Sequence, residues 1–134
     1  MSDNMRDMVA WLREQIESDI EKAESASPGP WSYEDSAIIP YFAEEPFLMP
    51  IVGMANKDDA EHILAHSPTE VIADCEAKLE LIELYELQAA KRHQDVPQED
   101  RTEVLAAVII RLADCYRHRE HYENWEGWAD LKAQ

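Results

Sequence analysis

Two histidines four residues apart, His62 and His66, are the best-spaced candidates for chemistry. On a helix this spacing sets both imidazoles on one face, as a metal site requires. A zinc-protease helix would place Glu directly after the first His, and Ile63 stands there instead. Asp58 and Asp59 are near, but the spacing forces neither to become a third ligand. The simpler reading is a histidine that caps or packs beside the turn at Ser67-Pro68, so no metal ligand is assigned. His118 and His121 lie in the densest mixture of basic and aromatic residues, from Tyr116 to Tyr122. Such a cluster could hold an anion or an acidic partner. It equally describes a solvated final helical turn, where His and Arg suit the negative end of the helix dipole.

The remaining reactive groups are weaker candidates. Cys75 and Cys115 both fall on apolar helical stripes and read as buried, reduced thiols. Arg111 and Arg119, four residues either side of Cys115, would favour its thiolate if it were exposed. The chain has only three glycines, and none forms a phosphate-cradling loop. Ser27-Pro28-Gly29-Pro30-Trp31 reads as a rigid chain reversal that delivers the tryptophan to the core. With 29 Asp and Glu residues, no particular carboxylate pair stands out. No catalytic residue and no cofactor are therefore assigned, and a binding role is expected over an enzymatic one.

The 134 residues fit one domain, 1–134, and the 46% hydrophobic content supports a core. A formal charge of −17 excludes routine nucleic-acid binding and disfavours an anionic membrane surface. The longest apolar run, Val104 to Ile110, is far short of the roughly 20 residues that span a bilayer. Two cysteines make no disulfide framework, which fits a cytoplasmic setting, and no signal peptide is legible. The negative charge is shared by every part of the chain, and no acidic tail forms.

Periodicity supplies the elements that would position these groups. Met5, Met8, Val9, Leu12, Ile16, Ile20 and Ala23 recur at helical steps and predict a first helix ending near Ala26, before Pro28-Gly29-Pro30. Residues 30–50 are rich in proline and aromatics. Trp31–Tyr33 and Phe47–Met54 read as two short antiparallel strands, the second broken at Pro50. Asn56 predicts the cap of a short helix through His66. Ser67-Pro68-Thr69-Glu70 predicts a capping box and a long helix to about Arg92. On that helix Val71, Ile72, Cys75, Leu79 and Ile82 form one apolar stripe. Leu81, Leu84, Tyr85 and Leu87 add a second line and demand a second packing partner. Pro97 is expected to open a last helix whose buried side is Val104, Leu105, Val108, Ile109, Leu112, Cys115 and Tyr116. The fold class is thus mostly helical α+β, with about four helices and a small two-stranded antiparallel element after the first.

Several stretches resemble a small uncharacterised family from actinobacteria and their phages. Ala26-Ser27-Pro28-Gly29-Pro30-Trp31 is similar to its T-P-G-P-W signature, and Ala60 to Pro68 to its H-I-A-x-x-D-P stretch. Val71 and Glu76-Ala77-Lys78 resemble the continuation V-L-x-x-x-E-A-K, and Arg111 to Tyr116 resembles R-L-L-A-L-P-Y. The plan is also similar to that of the Ead-like phage proteins. The family has proline where Cys115 stands and His-Pro-Asp-Tyr where Arg119-Glu120-His121-Tyr122 stands, so the last helix is expected to run on here. The resemblance implies a phage or mobile-element setting and supplies no catalytic residue.

The expected function is that of a small accessory protein working by protein–protein contact, as a homodimer. Leu81, Leu84, Tyr85 and Leu87 are the expected self-association surface. Tyr122, Trp125 and Trp128 in the polar, aromatic tail are expected to meet a protein partner of host or phage origin. An acidic mimic of nucleic acid is the alternative if the acids align on one face. A His62–His66 metal protein is a further one.

Overall fold

The computed structural model describes residues 3–40, 50–91 and 99–122. Six elements follow in order: α1 (Asp3–Ser25), β1 (Trp31–Glu34), β2 (Ala37–Pro40), α2 (Lys57–Leu64), α3 (Pro68–Lys91) and α4 (Glu99–Asp114). Among the described residues this is a mostly helical α+β chain, with four helices and a two-stranded antiparallel sheet after the first. No described helix is long and apolar enough to cross a membrane. The chain divides into two compact units, Met1–Glu17 with Glu76–Gln134, and Ser18–Cys75. Helices α1 and α3 each contribute to both.

In the Ser18–Cys75 unit, β1 and β2 form a hairpin in the register Trp31↔Pro40, Ser32↔Ile39, Tyr33↔Ile38 and Glu34↔Ala37. The two residues between the strands, Asp35 and Ser36, have φ of 51° and 66°. Positive φ at both central positions is the type I′ turn, whose twist matches paired strands. The expected second strand is corrected accordingly: the partner of β1 is Ala37–Pro40, not Phe47–Met54. Val52 makes only an isolated bridge to Ile38, and Phe47–Met49 lie outside the described residues. Ile38 is fully buried, and its N–H donates to the Val52 carbonyl at 3.0 Å. The Tyr33 hydroxyl donates to the Ala55 carbonyl at 2.7 Å and ties the hairpin to the entry of α2.

Asn56 caps α2 as its residue type predicts. Its side-chain oxygen accepts from the Asp59 N–H at 2.8 Å, and its Nδ2 donates to the Asp59 carboxylate at 2.9 Å. Helix α3 opens at Pro68, with the Val71 N–H donating to the Ser67 carbonyl at 3.0 Å. A Cβ at Gly29 would lie 2.9 Å from Thr69 Oγ1 and 3.5 Å from Pro68 Cδ. The Pro28-Gly29-Pro30 reversal therefore passes tightly over the start of α3, which only glycine allows. Trp31 is half-buried, and its indole N–H donates to the Ser27 carbonyl at 2.9 Å. It closes its own turn and is not a plug of the core, as the sequence had suggested.

The other unit buries Met5, Met8, Val9, Leu12 and Ile16 of α1. Ile82, Tyr85 and Ala89 of α3 are also buried, with Thr102, Ile109, Ile110 and Ala113 of α4 and Tyr116 beyond it. Arg13 donates to Glu86 across α1 and α3. Two expectations for α4 are corrected. Its buried side is the line Thr102, Ile109, Ala113 and Tyr116, about a quarter-turn from the predicted one. Val104 is 63% exposed, and Leu105, Val108 and Leu112 are only half-buried. The helix also stops at Asp114, despite the missing prolines. Beyond it the N–H groups of Cys115, Tyr116, Arg117, Arg119 and Tyr122 bond three residues back, as in the Cys115 N–H to Leu112 carbonyl contact at 3.0 Å. These tight turns bring Tyr122 back to Asp114, and they leave Cys115 exposed rather than buried.

Candidate interaction surface

The helical residues left over by this packing form the candidate site. On α3, Glu80, Leu84, Leu87 and Lys91 follow at steps of four, three and four, so they share one side. All four are exposed, with Leu84 at 48% and Leu87 at 51%. The remaining members of the expected line divide. Tyr85 is buried at 2% and belongs to the core, while Leu81 is half-buried. On α4, Arg101, Leu105, Val108 and Leu112 recur at the same steps, with Val104 and Arg111 beside them.

The two helices meet along this side. Gln88, Arg101, Val104 and Leu105 line an open pocket of about 370 Å³. Gln88 Oε1 is buried there without a hydrogen-bond partner among the described residues. Near the other end of the pair, Lys78 Nζ donates to the Tyr116 hydroxyl at 3.2 Å. Gln88 lies level with Val104 and Lys78 with Tyr116, so α3 and α4 run antiparallel. Leu84 and Leu87 on one helix and Val104 on its neighbour are large apolar side chains left exposed, the kind of residue that marks interaction sites when grouped.

Gln88 and Arg101 were not singled out by sequence, and Val104 and Leu105 were expected on the buried side of α4. The signal was present in α4, where apolar residues cover more than one helical side. Periodicity alone does not say which side faces inward.

The C-terminal aromatic group is used differently. Two cations approach the Tyr116 ring, with Lys78 Nζ 5.0 Å and the Arg119 guanidinium 4.6 Å from its centroid. Arg119 also donates to the Gln15 carbonyl at 3.3 Å. The Tyr122 hydroxyl donates to the Asp114 carboxylate at 2.5 Å, and its ring lies 5.9 Å from that of Trp11. Tyr122 is thus half-buried against its own unit. Trp125 and Trp128 lie outside the described residues. A model of a family of unknown function, DUF6221, matches residues 5–129.

The chain belongs to that family.

The DUF6221 match spans α1 through α4 and every element of the candidate surface. No curated protein and no solved structure matches the chain.

The histidine pair of this DUF6221 member does come together. The His62 and His66 ring centroids are 4.6 Å apart, and His66 Nδ1 is 2.8 Å from the His62 carbonyl. Both rings are exposed. His66 thereby closes the end of α2, whose last carbonyls need donors. Among the described residues, no three His, Cys, Asp or Glu side chains are gathered as a metal would require.

Proposed function

We propose that this DUF6221 chain is a small accessory protein that acts by binding another protein, without catalysis, through the α3–α4 face. The observation that carries the reading is the exposure of Leu84, Leu87 and Val104 on two adjacent helices of one unit. Covering what these three side chains still expose supplies about 1–1.5 kcal/mol each before the costs of association. The likeness of Ser27–Trp31 and Ala60–Pro68 to the phage-family motifs supports a phage or mobile-element role in the host cytoplasm. Gly29 and Pro68, from those two motifs, lie side by side, since a Cβ at Gly29 would stand 3.5 Å from Pro68 Cδ, which gives the motifs a shared structural reason.

The test is retention on immobilised protein, with the purified chain itself and protein from the natural host cell tried in parallel. The wild-type chain is expected to hold a defined partner that Leu84→Glu and Leu87→Glu both release. Equal retention by wild type and both variants would defeat the reading.

A second reading, the nucleic-acid mimic, draws on α1. Asp3, Asp7, Glu14 and Glu17 are all exposed and lie on one helical side. A mimic would displace DNA from a basic DNA-binding protein, with a salt dependence like that of DNA itself. Failure to compete at low salt would remove it.

A further inference from the structure

We infer that the α3–α4 face receives a second copy of the chain, with α3 of each copy lying on α4 of the other about a two-fold axis parallel to these helices. The inference rests on the proposed binding face and names its occupant. With a net charge of −17, two copies repel unless the contact itself carries opposite charges. This face does. The α3 side carries the exposed acids Glu76, Glu80 and Glu83 against the single cation Lys91, whereas Arg101 and Arg111 edge α4.

The axis fixes the register. A rotation about a line parallel to the helices leaves every residue at its own height. Lys78 is level with Tyr116, and Gln88 with Val104 and Leu105. Leu84 then falls level with Val108 of the other copy, and Leu87 with its Leu105. Glu80 and Glu83 flank its Arg111. A two-fold interface makes each of these contacts twice. Arg111 is free to change partners: its contact to Asp114 is 3.9 Å long with a 64% exposed side chain, and exposed pairs contribute little. The alternative two-fold, perpendicular to the helices, stacks α3 on α3, where one Lys91 per copy faces three acids, and α4 on α4, where Arg101 and Arg111 meet only further arginines. Charge therefore selects the α3-on-α4 arrangement.

The experiment is a charge-exchange series followed by sedimentation equilibrium, with circular dichroism confirming that each variant is folded. E80R/E83R and R111E are each expected to weaken the dimer about tenfold or more, the equivalent of about 1.4 kcal/mol. An equimolar mixture restores it, because both acid–base contacts re-form between unlike chains. The triple variant E80R/E83R/R111E is expected to pair with itself. A monomeric wild type overturns the inference, and so does a mixture that stays monomeric when both variants are folded. Leu84→Glu separates the two levels. If it dissociates the dimer while the charge variants do not, the face stands and the α3-on-α4 pairing falls. If it leaves the dimer intact, the face itself is wrong.

Discussion

Much of the Ser18–Cys75 unit is held by contacts close in sequence, while the unit of Met1–Glu17 and Glu76–Gln134 is held by contacts between distant segments. In the first, a two-residue turn pairs β1 with β2, Asn56 caps α2 within three residues, and Trp31 bonds four residues back. In the second, Arg13 meets Glu86, Arg119 meets Gln15, Lys78 meets Tyr116 and Trp11 meets Tyr122. Backbone and cap chemistry saturates itself and leaves little surface to offer. Side-chain packing between helices must choose which apolar sides to bury, and here it leaves one over. Leu84, Leu87 and Val104 all belong to this second set of segments. Met54, 85% exposed, is a lone apolar side chain in the other unit and needs no explanation.

Substitutions can break this contrast in order of expected size. Ile82→Ala removes a fully buried side chain and is expected to cost about 3 kcal/mol in urea unfolding. A loss under about 1 kcal/mol would mean that α3 is not packed as described. Tyr122→Phe deletes the donor to Asp114 and is expected to cost about 1.5 kcal/mol, because a bond to a carboxylate is lost. No change in the unfolding midpoint would show that the turns after α4 are not fixed by that contact. Asn56→Ala should cost about 1 kcal/mol, the usual value of an N-cap. If it cost as much as Ile82→Ala, the contrast between local and distant stabilisation would collapse. Ser36→Gly should stabilise by about 0.5 kcal/mol, since glycine accepts φ near 66° without a steric cost. A destabilised variant would exclude the positive-φ turn.

Much of the fold was legible because its signals are local. The α1 stripe, the Asn56 cap and the start of α3 at Pro68 all follow from residue type at a few adjacent positions. The hairpin was only half legible. A type I′ turn is normally announced by Asn-Gly or Asp-Gly, and here Asp35-Ser36 adopts it without glycine. The aromatic and aliphatic run after Phe47 carries the stronger strand signal, and of it Val52 pairs only as a bridge. On α4 the apolar residues run around more than half of the helix. The predicted side, with Val104 and Cys115, was as hydrophobic as the side that is buried. The leucines of α3 were found because they exceed what one core needs. Their true neighbours on α4 were hidden by that choice of side. Tyr85 had the right spacing for the surface line but is drawn into the core.

The most direct test of the binding face is the mass of the chain in solution by light scattering, for wild type and for Leu84→Glu. The account predicts twice the 15.5 kDa of one chain for wild type and 15.5 kDa for the folded variant. A wild-type mass of one chain across the concentration range would contradict it, as would a variant that keeps the wild-type mass.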